Sequence, residues 1–326
     1  MTVFSVLDVV PVPEGQTPAH ALRRALDLAQ HVERWGYRRY WVAEHHNMEG
    51  IASAATAVVI GYLAGGTKTI RVGSGGIMLP NHSPMVIAEQ FGTLESLYPG
   101  RIDLGLGRAP GTDQQTLVAL RRDPAAAEHF PQDVVELQEL LGPLQPRQRV
   151  QAVPGTNLNV PVWILGSSLF GAQLAAILGL PYGFASHFAP DALMQALKLY
   201  RDNYQPSARN PKSYAMIGVN VVVADTDAEA RRLFTSMQQR YADIFRGTRG
   251  QLKPPIDDIE SYWSPSEKAQ AQRMLACSLV GSVDTVRRDL AALVARTGAD
   301  ELMVSSAIYD HAARLRSYEL FATLQD

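Results

Sequence analysis

The sequence predicts an α/β fold, a (β/α)8 TIM barrel that forms one domain over residues 1–326. Short apolar runs of strand length alternate with helix-length periodic segments from end to end, and eight such units are counted. Alternation implies parallel strands joined by right-handed crossovers. Eight units in a chain of this length favour a closed barrel over an open doubly wound sheet, which is the alternative.

Each predicted strand is an apolar run bounded by turn-forming residues. The strands cover residues 4–10, 40–43, 70–78, 102–106, 162–165, 182–185, 214–223 and 301–305. The predicted helices show apolar residues at helical spacing, and several begin at proline or end at glycine. They cover residues 18–35, 52–64, 84–98, 125–141, 168–178, 192–204, 227–245, 283–296 and 312–324. Asp225 or Thr226 is expected to cap the helix at 227–245.

Two segments interrupt this alternation. Residues 109–161 form a long connection after strand 4, whose Pro/Gly-rich part at 142–161 predicts a hairpin or a loop. Residues 246–265 mix glycine, proline and acidic residues without periodicity, which is typical of a mobile lid or a disordered loop. The predicted barrel therefore carries an inserted segment after strand 4 and a long mobile loop after strand 7.

Composition excludes several classes of protein. The formal net charge is −2 and no basic run is present, which argues against nucleic acid or an acidic membrane surface as the partner. The single cysteine, Cys277, excludes an internal disulfide and a cysteine-rich metal site, and suits a reducing cytoplasm. No run of 18 apolar residues and no signal-like start are present, so the expectation is a cytoplasmic protein without a membrane span.

The segment Gly100-Arg-Ile-Asp-Leu-Gly-Leu-Gly-Arg-Ala-Pro-Gly111 predicts an anion site. A short apolar strand runs into the glycine-flanked Arg108 and stops at Pro-Gly. Glycine lets the backbone approach a ligand, and the arginine side chain offers a planar fork of donors that suits a phosphate. The glycine spacing is GxGxxxG, which differs from the dinucleotide fingerprint GxGxxG.

Three other polar or glycine-rich segments also follow apolar runs, where a barrel gathers its catalytic residues. They are Ala-Glu44-His45-His46-Asn, Gly73-Ser-Gly-Gly-Ile-Met-Leu-Pro80 and Ile164-Leu-Gly-Ser-Ser168. Adjacent residues at a strand end point to opposite faces, so at most one of the two histidines is expected to face the barrel mouth.

Together these motifs resemble the bacterial luciferase-like flavin-dependent monooxygenases, most nearly their uncharacterised single-subunit branch. The resemblance covers nearly the whole chain and adds the Val-Gly-Ser-x-Asp-Thr-Val motif at 280–286, before the helix at 283–296. It implies a (β/α)8 barrel with an excursion near the seventh unit, reduced FMN as the cofactor and O2 as the co-substrate.

The resemblance also implies a cofactor site. Arg108 is similar to the phosphate-binding arginine of the family, while Gly166, Ser167 and Ser168 match a region that binds the same phosphate at a helix start. The alternative for the two serines is a plain helix cap. Gly75-Gly76 falls where the family commonly has a non-proline cis peptide under the flavin ring, with an ordinary glycine bulge as the alternative.

His45 aligns with the histidine that the luciferases use as an acid or base near the flavin, and a near-neutral pKa is expected for it. Glu44 is expected to orient a neighbouring group through a hydrogen bond, or to be a buried polar residue. At Gly107 the sequence departs from the luciferases, which carry a reactive cysteine there. That difference puts light emission in doubt and leaves flavin binding unaffected.

The function predicted is that of an FMN-dependent monooxygenase in a two-component system. Reduced FMN (FMNH2) would come from a separate NAD(P)H-dependent flavin reductase, because no pyridine-nucleotide fingerprint is visible. The substrate is a small organic compound, and an apolar or aromatic one is suggested by Met78, Phe184, Tyr262 and Trp263. A homodimer without nucleic acid or membrane partners is expected.

Three alternatives stay open. One is a barrel oxidoreductase that uses the deazaflavin F420, and a second is a flavin-binding protein without turnover. The third is a metal-dependent hydrolase, suggested by the four histidines His45, His46, His82 and His187. Because His-x-His on strand 1 and a His-Glu-x-x-His helix are both missing, no metal is expected.

Overall fold

Parallel strands close into a barrel in the computed structural model, which describes residues 2–109 and 113–325. The strands are β1 (Val3–Asp8), β2 (Arg39–Val42), β3 (Arg71–Met78), β4 (Ile102–Gly107), β5 (Val162–Gly166), β6 (Tyr182–Phe184), β7 (Ala215–Val223), β8 (Ser278–Gly281) and β9 (Glu301–Ser305). The order β6-β5-β4-β3-β2-β1-β9-β7 closes through pairing of β6 with β7. All eight predicted strands belong to this barrel, so the predicted fold class is confirmed.

The short strand β8 was not predicted. It pairs with the far part of β7, outside the barrel, with Asn220 opposite Ser278. Its four residues directly precede a helix, so periodicity gives no signal for it. β7 is nine residues long and fully buried, and its last four residues, 220–223, pair with β8.

Helices surround the barrel: α1 (Pro18–Arg34), α2 (Thr56–Gly66), α3 (Pro84–Leu97), α4 (Gln114–Ala119), α5 (Phe130–Leu141), α6 (Leu169–Ile177), α7 (Leu193–Asp202), α8 (Asp227–Phe245), α9 (Pro265–Met274), α10 (Val283–Thr297) and α11 (His311–Ala322). Short 3-10 turns lie at Leu79–Asn81 and Pro124–Glu128. Of the two predicted capping residues, Thr226 is the one that caps α8. Among the described residues, no helix is long and apolar enough to cross a lipid bilayer.

Two helix starts differ from the prediction. α2 begins at Thr56 because Ala52 is held in an extended connection, where its N–H donates to the carbonyl of Val10 at 3.1 Å. α5 begins at Phe130, because the first residues of the predicted helix belong to the separate 3-10 turn Pro124–Glu128.

The helix α9 was not predicted, although its start carries a recognisable signal. Ser264 and Glu267 form a capping box, in which the serine hydroxyl accepts from the Glu267 N–H and the carboxylate accepts from the Ser264 N–H. Pro265 occupies the first turn, where its missing N–H costs nothing.

The two irregular segments hold their predicted places. Between β4 and β5 the described residues form α4, α5 and a loop at 142–161 that contains no strand. Between β7 and β9 the chain makes an excursion through α8, residues 246–264, α9, β8 and α10. Leu252 anchors residues 246–264, because it is 2% exposed and its backbone pairs with Val12 and Glu14 after β1.

The barrel interior is filled at its amino end by a buried ionic network. Arg39 on β2 lies between Asp103 on β4 and Glu301 on β9, with nitrogen–oxygen distances of 2.7 Å and 3.0 Å. Arg71 reaches Asp103 at 2.6 Å, and the Tyr214 hydroxyl donates to Glu301 at 2.8 Å. This layer closes the amino end of the barrel.

Above this network lies an apolar layer. Leu7, Trp41, Trp163, Met216 and Met303 pack together inside the barrel, and the two indole rings meet edge to face. Because both layers fill the lower part of the barrel, a ligand is expected at the carboxyl ends of the strands.

Candidate active site at the carboxyl ends of the strands

His45 lies at the mouth of the barrel because of the alternation along β2. Arg39, Trp41 and Ala43 face the barrel interior, where the first belongs to the ionic network and the other two to the apolar layer. Two residues further along, His45 continues this inward series. Its Nδ1 is buried and has no hydrogen-bond partner in residues 2–109 and 113–325. The imidazole therefore presents an unused ring nitrogen at the mouth.

The electrostatic surroundings keep His45 neutral. Burial and, after it, the nearby positive charge of Arg240 lower its pKa to about 4, while the backbone of Ala43 and the carboxylate of Glu44 act in the opposite direction. The near-neutral pKa expected from the sequence is therefore wrong. At pH 7 the ring is uncharged, so it can accept a proton or share a hydrogen bond, but it carries no proton to donate as an imidazolium.

Glu44 faces the other way and holds a separate cluster. Its carboxylate accepts from the Met78 N–H at 2.9 Å, from His82 Nε2 at 2.9 Å and from His46 Nε2 at 2.7 Å. The amide of Asn81 donates to it at 3.2 Å. Burial raises its pKa, but these hydrogen bonds outweigh burial and hold the pKa at about 2. Glu44 thus fixes the turn after β3, and its hydrogen bonds go to His46 and His82 instead of His45.

His187 follows β6 and lies over Gly218 of β7. A Cβ at Gly218 would lie 2.1 Å from His187 Nδ1, so only glycine allows the imidazole to rest on this strand. The His187 carbonyl accepts from the Asn220 amide at 2.6 Å and from the Tyr241 hydroxyl at 3.2 Å. Burial, together with His45, lowers the pKa of His187 to about 4, so this ring is also neutral at pH 7.

Arg240 and Tyr241 on α8 complete this side of the mouth, and sequence reasoning missed both. A signal was available. Arg240 lies four residues after the buried Ser236 and three after the buried Met237, so it falls on the inner stripe of the predicted helix. A charged side chain on such a stripe is unusual unless it is paired or functional.

A second cluster forms where β4 and β5 end side by side. The Arg108 guanidinium stacks on the ring of Phe170 in the first turn of α6, 4.1 Å from its centroid. Ser168 is the N-cap of α6, but its side chain makes no capping hydrogen bond. Ser167 and Ser168 are exposed, so the first N–H groups of α6 and the Arg108 side chain lie together at the surface of the mouth.

The structure thus brings three of the predicted cofactor residues to one place, Arg108, Ser167 and Ser168. Gly166 directly precedes them, and a Cβ there would lie 3.4 Å from the Cα of Gly171, so β5 and α6 approach closely. A free arginine and a helix N-terminus are the groups that bind a phosphate. Gly111, the last glycine of the predicted anion segment, lies outside the described residues.

The Gly75-Gly76 peptide bond is cis, as the resemblance implies. The pairing of β3 with β4 shifts register at this point, between Gly75 and Ile77. A Cβ at Gly75 would lie 2.6 Å from Leu7, and one at Gly76 would lie 2.7 Å from the carbonyl oxygen of Gly105. Larger side chains would therefore be excluded from both positions by the barrel itself.

The four histidines of the metal alternative separate into two pairs. His45 and His187 belong to the mouth, whereas His46 and His82 bind Glu44. Among the described residues, no group of three or more metal-binding side chains is assembled.

The residues that suggested an apolar substrate are only partly near this mouth. Phe184 is 1% exposed in the core between the barrel and the helices, so it lines no pocket. Tyr262 stacks under Arg246 and donates to Asp243, and Trp263 is buried in a separate cluster with α8 and α9.

Known proteins match this chain over most of its length. A family model described as luciferase-like monooxygenase matches residues 1–301. A luciferase-like monooxygenase of Escherichia coli (strain K12) is 57% identical over 318 residues, covering 97% of this chain and 95% of its own. The N-acetyl-S-alkylcysteine monooxygenase of Bacillus subtilis (strain 168) is 40% identical over 196 residues, or 57% of each chain.

Solved structures give the same result. The crystal structure of apo-MsnO8 superposes with a TM-score of 0.92 at 36% identity, covering 99% of this chain and 98% of its own. More distant barrels are the FMN complex of the oxygenating constituent of 3,6-diketocamphane monooxygenase from Pseudomonas putida and an F420-dependent secondary alcohol dehydrogenase. Their TM-scores are 0.71 and 0.70 at 18% and 14% identity, and they cover 99% and 100% of this chain and 97% and 99% of their own.

The last two structures are less than 25% identical to this chain, so they show only that the fold is shared. The family model and the E. coli relative show more, because both match nearly the entire chain. The chain therefore belongs to the luciferase-like monooxygenase family, and it is an oxidoreductase that incorporates molecular oxygen.

Proposed function

We propose that the protein is an FMN-dependent monooxygenase that oxygenates a small organic substrate with O2 at the barrel mouth. The observation that carries the choice of cofactor is the pairing of Arg108 with the start of α6. A guanidinium and uncapped N–H groups at the positive end of a helix dipole favour a dianion, and FMN carries one as its phosphate. When bound, reduced FMN would supply the electrons that split O2, one oxygen atom entering the substrate and the other leaving as water.

The residues of this chain then have distinct roles. Arg108, Ser167 and Ser168 bind the phosphate, with Gly166 allowing the close approach of β5 to α6. Gly75 and Gly76 keep the barrel wall free of side chains where the ring would lie, as the resemblance implies. Positioning and the exclusion of water are what a protein adds to flavin chemistry.

His45 is the proposed catalytic residue, and Glu44 is a positioning residue. The neutral His45 ring has a free nitrogen at the mouth that can accept a proton from the substrate or the cofactor. Glu44 acts through the turn after β3, because it holds Met78, His46 and His82 in place. It lies too deep and its pKa is too low for it to exchange protons at neutral pH.

A separate NAD(P)H-dependent flavin reductase is the proposed source of FMNH2, in the cytoplasm. A homodimer is proposed as well. Large apolar side chains are exposed on the adjacent helices α2 and α3, namely Val58, Tyr62, Val86 and Leu97, and a second copy of the chain would cover them. Sedimentation of the protein and of a Val58→Glu variant measures this association.

A change at Arg108 tests the cofactor assignment. Arg108→Ala should weaken FMN binding by about 2 kcal/mol or more, because a charge-assisted pair to the phosphate is lost. Riboflavin lacks the phosphate, so its affinity should hardly change. Calorimetric titration of both ligands measures the difference, and Arg34→Ala at the exposed end of α1 is the matched control.

The same titrations separate the alternatives. Equal weakening for both ligands would mean that Arg108 acts structurally, and the phosphate assignment would be withdrawn. Tight binding of F420 without binding of FMN would favour the deazaflavin oxidoreductase. Binding of oxidised FMN with no oxygen consumption on supply of FMNH2 would favour a flavin-binding protein without turnover.

The name of the B. subtilis relative suggests the first substrate to test. That protein is an N-acetyl-S-alkylcysteine monooxygenase. N-acetyl-S-methylcysteine with FMNH2 and O2 is therefore the starting assay, with product detected by mass spectrometry and 18O2 as the oxygen source. Incorporation of one 18O atom is the expected result for a monooxygenase.

A further inference from the structure

Arg240 is a half-buried cation that has no counter-ion among the described residues. Two arginines that are more deeply buried are paired, Arg39 with two carboxylates and Arg314 with Asp8 at 2.9 Å. The Arg240 guanidinium forms no ion pair or hydrogen bond with a residue in 2–109 or 113–325, and burial lowers its pKa. Buried charges are normally paired, because leaving water without a partner is costly.

The groups around Arg240 are neutral, and several have unused hydrogen-bonding atoms. Nδ1 of His45 and Nδ1 of His187 are both buried without a partner among the described residues. The hydroxyl of Ser236, one turn before Arg240 on α8, is also buried without a partner. Tyr241 stays protonated, since burial raises its pKa to about 12. This side of the mouth therefore offers one positive charge and several neutral polar atoms.

A ligand with a negative charge would complete this arrangement. The flavin phosphate is not that ligand under the proposed function, because Arg108 and the start of α6 lie at the ends of β4 and β5. Arg240 lies on α8 after β7, beside His45 at the end of β2. The planar fork of an arginine matches a carboxylate in a bidentate pair. A single guanidinium balances one negative charge, which suits a carboxylate better than a second phosphate.

We propose that Arg240 binds the carboxylate of the substrate, so the substrate class is a small organic acid whose reacting atom is held beside His45. The proposal rests on the proposed function in taking the barrel mouth as the place of reaction. The Ser236 hydroxyl and the His45 imidazole donate or accept the remaining hydrogen bonds of the bound acid. Arg240 thus determines specificity for a carboxylate, while His45 acts at the reacting atom.

Binding of matched acids and amides tests this assignment. The probes are N-acetyl-S-methylcysteine, hexanoate and phenylacetate, each beside its carboxamide, titrated calorimetrically with and without FMN. At least one acid should bind tenfold or more tightly than its amide. Arg240→Gln should reduce the affinity for that acid to the level of the amide and leave the amide unchanged. Arg240→Lys should keep part of the preference, because it keeps the charge and loses the fork.

Arg231→Gln, on the exposed face of α8, is the control and should change neither affinity. Equal binding of acids and amides by the natural protein would overturn the proposal, as would failure of all three acids to bind. A loss that is equal for acid and amide in Arg240→Gln would also overturn it.

Thermal unfolding without ligand gives an independent readout. Arg240→Gln should raise Tm, because it removes a half-buried charge that has no partner among the described residues; a lower Tm would show a structural role and overturn the proposal. FMN affinity should stay the same in this variant. Failure of the natural protein to bind FMN would instead count against the proposed cofactor, and the acid preference would still be measurable.

Discussion

At the scale of single residues, His45 and His46 illustrate how one position along a strand separates two roles. His45 points into the barrel mouth with a free ring nitrogen, whereas His46 is bonded to Glu44. The pKa of His46 is raised by that hydrogen bond, and the pKa of His45 is lowered by burial. Neighbours in sequence therefore have pKa values shifted in opposite directions, because they lie on opposite sides of the segment that follows β2.

Replacing His45 should impair the reaction and spare cofactor binding. His45→Ala is expected to bind FMN within about threefold of the natural protein and to lose roughly 10² or more in the oxygenation step. His46→Ala should mainly lower stability, since it breaks the bond to Glu44. Single-turnover substrate oxidation and flavin titration on the same preparations measure both effects. Unimpaired turnover in His45→Ala would remove this residue from the mechanism.

The two neutral histidines predict a loss of stability in mild acid. The pKa values of His45 and His187 fall from 6.5 to about 4 in the folded protein. Between pH 6.5 and 4 the unfolded chain therefore binds protons that the native protein does not, so the free energy of unfolding falls as the pH falls. The loss is about 2 to 3 kcal/mol for each histidine once the pH reaches 4.

Tm measured from pH 7 to pH 4 checks this expectation. His45→Gln and His187→Gln should each show a shallower fall than the natural protein. Because His46 has a raised pKa and acts in the opposite direction, His46→Gln should show a steeper fall. Identical pH profiles for the natural protein and both variants with lowered pKa values would contradict the assignment.

At the scale of elements, residues 246–264 form a strap beside the barrel mouth. Gln251 reaches the connection after β1, where its side-chain amide donates to the carbonyl of Gln16 at 3.2 Å and its side-chain oxygen accepts from the Gly15 N–H at 3.2 Å. Arg249 lies 3.7 Å from Asp113, which follows β4. The strap thus touches the connections after two barrel strands, a position suited to excluding water from the site.

This geometry supports the prediction that the strap opens and closes. Trypsin cleavage after Arg246 and Arg249 should slow by about threefold or more when FMN and substrate are bound, because a closed strap is less often available to protease. Leu252→Ala removes the buried anchor and should speed cleavage without ligand. Arg249→Ala breaks only an exposed ion pair and should have a small effect. Cleavage rates that no ligand alters would count against a lid.

At the scale of the whole molecule, stability and chemistry lie at opposite ends of the barrel. The amino end is closed by carboxylates and arginines that satisfy one another, whereas Nδ1 of His45 and Nδ1 of His187 have no partner among the described residues. Fully satisfied polar networks rigidify a core, and unsatisfied buried groups mark sites that await a ligand. The ionic network at the amino end thus stabilises the barrel on which the residues of the mouth are held.

Asp103 tests this division. Asp103→Asn should lower the free energy of unfolding by about 3 to 5 kcal/mol, because Arg39 and Arg71 lose a buried counter-charge. FMN affinity should change little, since the site lies at the other end of the strands. Asp191→Asn, which breaks an exposed pair with Arg273, is the control and should cost less than about 1 kcal/mol. Urea unfolding and flavin titration measure both quantities, and an equal loss in the two variants would contradict a network role for Asp103.

The sequence by itself determined the fold class and the eight barrel strands, and it predicted the chain positions of the candidate site. Apolar runs and helical periodicity are local properties, and parallel strands carry the residues that follow them to one end of a barrel. Arg108 and Ser168 could be paired in this way from the ends of β4 and β5, and alternation along β2 correctly limited the mouth to one of the two histidines.

Only the tertiary structure decided the partners and the charges. That Glu44 binds His82, that His45 is neutral, and that Arg240 has no counter-ion among the described residues all depend on how elements far apart in sequence pack together. β8 is too short to show a period, and α9 buries only Ala271, so it shows no apolar face along the sequence. Burial and the distance between charges set a pKa, and neither quantity is encoded in the spacing of residues along the chain.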